Sequence, residues 1–147
     1  METVANHGPR QMYEFFCKDN PESQINYLTF KETIIRFNKK AREMILDGGT
    51  LEMGNLLGII RIKQIKRNFN KPTVNWGETQ KLRERGEEGK IYYTDNYYYR
   101  WYWSKKRCRV ANKTVYSFRP TTGPTGARKA LVKRLKNDPL AKTKYLP

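Results

Sequence analysis

The first pattern along the chain is helical. In residues 10–18 (RQMYEFFCK), Met12, Tyr13 and Phe16 fall on or near one helical face, and Asn20-Pro21 closes the segment, so a short helix is predicted there. From Thr29 the same period runs longer. Phe30, Ile34, Phe37, Ala41 and Ile45 recur at spacings of three and four, while Lys31, Arg36, Lys39, Lys40 and Arg42 fall off that face. The opening T-F-K-E reads as a capping box, in which Thr29 and Glu32 satisfy each other's unpaired backbone donors, and Gly48-Gly49 marks the end. The apolar stripe of this second helix reads as a packing face.

The period then changes. Thr50, Leu51, Ile59, Ile60, Ile62 and Ile65 are strand formers, and Gly54 and Gly58 mark a turn between two β segments. In I-R-I-K-Q-I-K-R, Ile60 and Ile62 alternate with Arg61 and Lys63, which predicts a basic β-ribbon with one apolar and one cationic face. Beyond it comes a charged piece with helix-forming residues, E-T-Q-K-L-R-E-R-G-E-E-G. Eight of the 13 residues from Ile91 to Trp103 are then Tyr or Trp. Three uses compete for these rings: packing on the sheet, base stacking as on single-strand-binding platforms, and an interface with another subunit. Packing and interface rank first together. Near the C-terminus, ARKALVKRLK (127–136) predicts a short basic helix; the basic run KKRCR (105–109) reads by default as a solvated face and, beside the aromatics, alternatively as the lining of an anionic channel or groove.

Composition narrows the function classes. Thirty Lys and Arg stand against 14 Asp and Glu, a formal charge of +16, and aromatics make up 13% of the 147 residues. The aromatic content is too high for a disordered basic tail, so a folded single domain is expected, with a polyanion or acidic surface as partner. No apolar run approaches the 18 or more residues that cross a bilayer, no amphipathic helix has a membrane-binding pattern, and METVANHGPR lacks a signal peptide's apolar stretch. Synthesis in the cytoplasm and no membrane partner are expected. Cys17 and Cys108 form no C-x-x-C pair and His7 is the sole histidine, so a reduced protein with no metal, no cofactor and no catalytic machinery is expected.

The order of elements resembles the HU and integration host factor (IHF) family of bacteria. Residues 29–67 are similar to that family's second helix, its glycine turn (Gly58-Ile59-Ile60) and the base of its DNA-embracing arm. Val115-Tyr116-Ser117-Phe118-Arg119-Pro120 resembles the segment where the arm returns, Ala127–Lys136 resembles the last helix, and Pro72 stands near the place of the arm-tip proline. The resemblance implies an α+β fold: two N-terminal helices, a small antiparallel sheet with a long extended β-arm insertion, and a short C-terminal helix. It divides the chain into an arm (1–9), helices and sheet (10–67), an enlarged arm insertion (68–114), a returning strand and helix (115–137) and a tail (138–147). The insertion is about twice the family's arm in length. V-N-W-G-E-T-Q-K-L-R, the aromatic run and K-T-V-Y-S-F-R-P-T also resemble small HU-like proteins of crAss-like tailed phages of Bacteroidetes, which implies a place in a virus particle.

Two functions follow from the resemblance. The first is a structural subunit of a tailed-phage virion, at the portal, neck or tail, that assembles with copies of itself or related IHF-like subunits and with other neck and tail proteins near the DNA. Its interface residues would be Trp76, Tyr92, Tyr93, Tyr97, Tyr98, Tyr99, Trp101, Tyr102 and Trp103, together with the terminal extensions. The alternative is a dimeric, sequence-tolerant protein that binds and bends double-stranded DNA. Arg61, Lys63, Lys66, Arg67, Lys71, Arg119, Lys129, Lys133 and Arg134 would then face the polyanion, and Pro72 would wedge a base step.

Overall fold

The computed structural model describes residues 8–54, 57–112 and 114–147. Within them the fold is α+β, in the order α1 (Pro9–Asp19), α2 (Tyr27–Leu46), β1 (Leu51–Glu52), β2 (Ile59–Lys66), α3 (Trp76–Glu84), β3 (Tyr97–Ser104) and α4 (Ala127–Asn137), followed by a 3-10 turn, Ala141–Lys144. The strands form an antiparallel sheet ordered β1-β2-β3. Contacts group the chain into two units, 1–44 and 45–147. His7 and the rest of the expected arm before Gly8 lie outside the described residues.

The helical unit is held by aromatic rings. Pro9 occupies the first turn of α1, where its missing N–H costs nothing, and the Gly8 amide donates to Gln11 Oε1 (3.1 Å). Tyr13 and Phe16 of α1 meet Tyr27 and Phe30 of α2 at ring separations of 5.2–5.6 Å. The helix does not begin at the expected capping box. Asn26 caps it instead, accepting from the Thr29 amide (2.9 Å), so α2 starts at Tyr27 and the Thr29 carbonyl accepts from the Thr33 hydroxyl inside the helix. An earlier residue of equal capping strength adds most of a turn. Phe37, of the expected packing face, remains 58% exposed, as do Leu28 (70%) and Ile35 on the same helix.

The core lies in the second unit. Ile45 and Leu46, at the end of α2, are buried with Ile62 of β2, Trp101 of β3, Leu131 of α4, and Ala141 and Tyr145 of the C-terminal segment. That segment was expected as an extension available to neighbouring subunits, but it closes this core. Tyr145 is 3% exposed, and its hydroxyl donates to the Leu46 carbonyl (2.6 Å).

The largest departure from expectation is the identity of the returning strand. Residues 115–119 contain no strand, and Val115 is 77% exposed. The aromatic run itself returns, pairing Ile59 with Ser104 through Lys66 with Tyr97. The reason is complementarity. Ile60 and Ile62 need apolar cross-strand partners on the buried face, and the register gives them Trp103 and Trp101. Gly58 makes the close approach possible: its φ is +84°, and a Cβ there would lie 2.3 Å from the Ser104 carbonyl oxygen.

The expected extended arm is also shorter and differently built. The ladder stops at Lys66–Tyr97, and residues 67–96 rejoin through a single antiparallel bridge, Val74–Tyr92. The charged piece between the legs is helical, as α3, capped by the Asn75 side chain accepting from the Glu78 amide (3.3 Å). Thr79 on α3 is fully buried, and its Oγ1 accepts from the Ile91 amide (3.0 Å), tying the helix to the returning leg.

Candidate polyanion interface

Pairing β2 with β3 sorts their side chains by parity. Ile60, Ile62, Gln64, Tyr99, Trp101 and Trp103 share one face; Arg61, Lys63, Ile65, Tyr98, Arg100, Tyr102 and Ser104 share the other. On the first face Trp101 Nε1 donates to the Ala127 carbonyl (2.9 Å), Trp103 Nε1 to the Leu57 carbonyl, and Gln64 Nε2 to the Tyr99 hydroxyl (3.2 Å), while Tyr99 leans on Tyr145. Trp101 was expected at a subunit interface, but its burial makes it a core residue of this chain. Tyr99 and Trp103 are half-buried beside it.

The second face carries the candidate site. Lys63 stands directly opposite Arg100, and its ammonium lies over the Tyr102 ring, 4.9 Å from the centroid. Arg61 stands opposite Tyr102, and its Nη2 donates to the main-chain oxygen of Pro147 (2.9 Å). Arg61, Lys63, Tyr102 and Pro147, together with Thr50, Ile59, Ser104 and Lys106, line an open groove of about 350 Å³, beside which Arg100 is exposed on the same face of the sheet. Three of its eight lining residues, Arg61, Lys63 and Lys106, are cationic and none has an acidic side chain. At the ladder's end, the Arg67 guanidinium lies over Tyr93 (4.2 Å) and Tyr98 (5.2 Å). Lys63 and Arg67 therefore rest on rings and are partly ordered before any ligand arrives.

Chemically this face suits a polyanion. Like charges opposed across a ladder repel, and a bound anion converts that cost into attraction. Arg61, Lys63 and Arg67 share this stripe, whereas Lys66, expected with them, pairs with Tyr97 and by parity falls on the opposite face, exposed at the end of the ladder. Lys71 and Pro72 are exposed in the loop after β2, Lys129 and Lys133 on α4, and Arg119 in the chain before α4. Arg134 is different: its Nη1 is engaged by Asp47 (3.1 Å), so it braces α4 against the end of α2 instead of facing outward. Arg100 was not among the expected site residues, and Lys106 was expected only as part of the basic run 105–109, whose alternative reading was a groove lining. The signal for Arg100 was its parity with Tyr98 and Tyr102.

The remaining rings divide. Trp76 is 62% exposed at the start of α3, Tyr92, Tyr93 and Tyr97 are exposed, and Tyr98 and Tyr102 are half-buried on the cationic face. Lys105, of the basic run, lies over Trp103 (4.6 Å) and donates to the Tyr116 carbonyl. Neither Cys17 nor Cys108 is in a disulfide, and among the described residues no group of three or more His, Cys, Asp or Glu could hold a metal ion. No described helix is long and apolar enough to cross a membrane. No protein-family model matches the chain, and neither a curated protein nor a solved structure matches it.

Proposed function

We propose that this protein is a non-catalytic, DNA-associated structural subunit: a component of the portal, neck or tail of a tailed-phage particle, built on an IHF-like fold. The outer face of its sheet turns toward double-stranded DNA. The helical unit and exposed rings contact copies of the chain, related subunits or other neck and tail proteins. The cationic face carries this reading, because the Lys63–Arg100 juxtaposition has a repulsive cost that a nucleic-acid backbone relieves. The setting among other subunits draws support from Leu28, Ile35, Phe37 and Trp76, large apolar side chains left more than half exposed. Mass spectrometry of purified particles of the encoding phage tests the setting. Multiple copies per particle are expected, and absence of the protein contradicts it.

A second reading, a free dimeric DNA-bending protein, is favoured by the exposure of Lys71 and Pro72 in the loop after β2. The break in pairing weighs against it: beyond the Arg67–Asn96 step the two legs part and rejoin at the isolated Val74–Tyr92 bridge, whereas an embracing ribbon needs a continuous ladder. Circularisation of short DNA fragments separates the two: a bending protein accelerates ring closure, and a subunit that only lies against DNA does not.

A further inference from the structure

Arg67 is held in a way that neither packing nor pairing explains. Its guanidinium lies over two rings, Tyr93 from the returning leg of the 67–96 connection (4.2 Å) and Tyr98 from β3 (5.2 Å). Its Nε is shut off from solvent with no hydrogen-bond partner, which leaves a polar N–H unsatisfied at a cost the fold has not removed. The Arg67 amide donates to the Asn96 carbonyl (2.8 Å), which extends the pairing of the two legs by one step and keeps Arg67 in line with Arg61 and Lys63.

A guanidinium held against two rings, with its Nε shut off, offers a ligand its terminal Nη donors, a fork that matches two oxygens of one anionic group. Tetrahedral phosphate oxygens meet that demand in a bidentate contact, and two rings fix the fork before binding, so little freedom is lost on association. A point charge such as lysine would gain nothing from the same setting. On the reading of the sheet face as a DNA interface, we infer that Tyr93, Arg67 and Tyr98 form a preorganised clamp for one backbone phosphodiester, at the edge of the Arg61–Lys63–Arg100 surface.

The test is fluorescence anisotropy of a labelled duplex titrated with the full-length chain, for the wild type, Arg67→Lys, Tyr93→Phe and Tyr93→Leu. Arg67→Lys keeps the charge and Tyr93→Leu keeps every charge, yet each is expected to weaken binding about tenfold, with Tyr93→Phe unchanged. Circular dichroism shows whether each variant is folded; if Tyr93→Leu is not, Arg67→Lys decides. Wild-type affinity in Arg67→Lys overturns the clamp while leaving the DNA interface standing. Absence of duplex binding by the wild type overturns both. Polyglutamate that displaces the duplex from wild type as well as from Arg67→Lys, at equal charge, overturns phosphate as the group the clamp holds.

Discussion

Lys63 and Arg100 face each other across neighbouring antiparallel strands, two cations in direct register on the same side of the sheet. Neither strand gains from this pairing, and a sheet selected for stability alone would place opposite charges there. If this face lies against DNA, as proposed, function and stability pull against each other at this pair. Arg100→Glu should raise the stability of the free protein by about 0.2–1 kcal/mol while weakening its hold on DNA. Urea denaturation reads the first effect and anisotropy with a labelled duplex the second. A variant less stable than wild type contradicts the assignment of strain to this pair.

Gly58 lets β2 leave the turn beside the end of β3. Its left-handed backbone and the Ser104 carbonyl oxygen 2.3 Å from any added Cβ leave no room for a side chain. Gly58→Ala should cost about 2–4 kcal/mol, because backbone strain adds to a clash with main chain that cannot move aside. Chemical denaturation measures it, and a cost below about 1 kcal/mol means that the two strands separate there more easily than the ladder implies.

The rings differ sharply in what they support. Trp101→Ala removes a buried indole and its hydrogen bond to Ala127, so a loss of about 3–5 kcal/mol is expected. Trp76→Ala, at an exposed position, should change the stability of the isolated chain by less than about 0.5 kcal/mol. Thermal or urea unfolding of the pair separates core from surface.

Burial raises the pKa of the Tyr145 hydroxyl above its ordinary value of 10.0. The unfolded chain thus loses this proton at a lower pH than the folded chain. The folded state holds its advantage below about pH 10 and loses it as pH rises through and beyond that value. Tyr145→Phe should cost about 1 kcal/mol near neutrality through the lost bond to Leu46, and it should then fall off less steeply than wild type in alkaline solution. Denaturation midpoints across that range check the sign. Parallel curves for the two proteins contradict it.

Much of the architecture was legible in residue periodicity. The apolar stripe of α2, the alternation of Ile60 to Lys63, the helical piece that became α3 and the basic last helix all carry local patterns strong enough to survive folding. Packing of the aromatic run on the sheet was expected, but its role as the returning strand and the choice of rings for the core were not legible, because tyrosines occupy both of its faces and erase the apolar and polar alternation that marks a half-buried strand. Only Arg100 and Ser104 betray its parity. Its pairing with β2 is settled by long-range fit between Ile62 and Trp101, which no local window contains. Tyr145 was equally hidden, as a lone ring in a lysine-rich tail whose burial depends on the unpaired carbonyl at the end of α2. The candidate site inherits this history. Its β2 half, Arg61 and Lys63, was visible in the sequence, and its β3 half was not.

The dependence of duplex affinity on salt, for wild type and for the Lys63→Gln, Arg100→Gln double variant, tests the cationic face most directly. If Arg61, Lys63, Arg100 and Lys106 each neutralise a phosphate, log K should fall with log salt at a slope of about −4 or steeper, and the double variant should be shallower by about 2. No binding by the wild type at low salt, or an unchanged slope in the double variant, would contradict the assignment of this face to DNA.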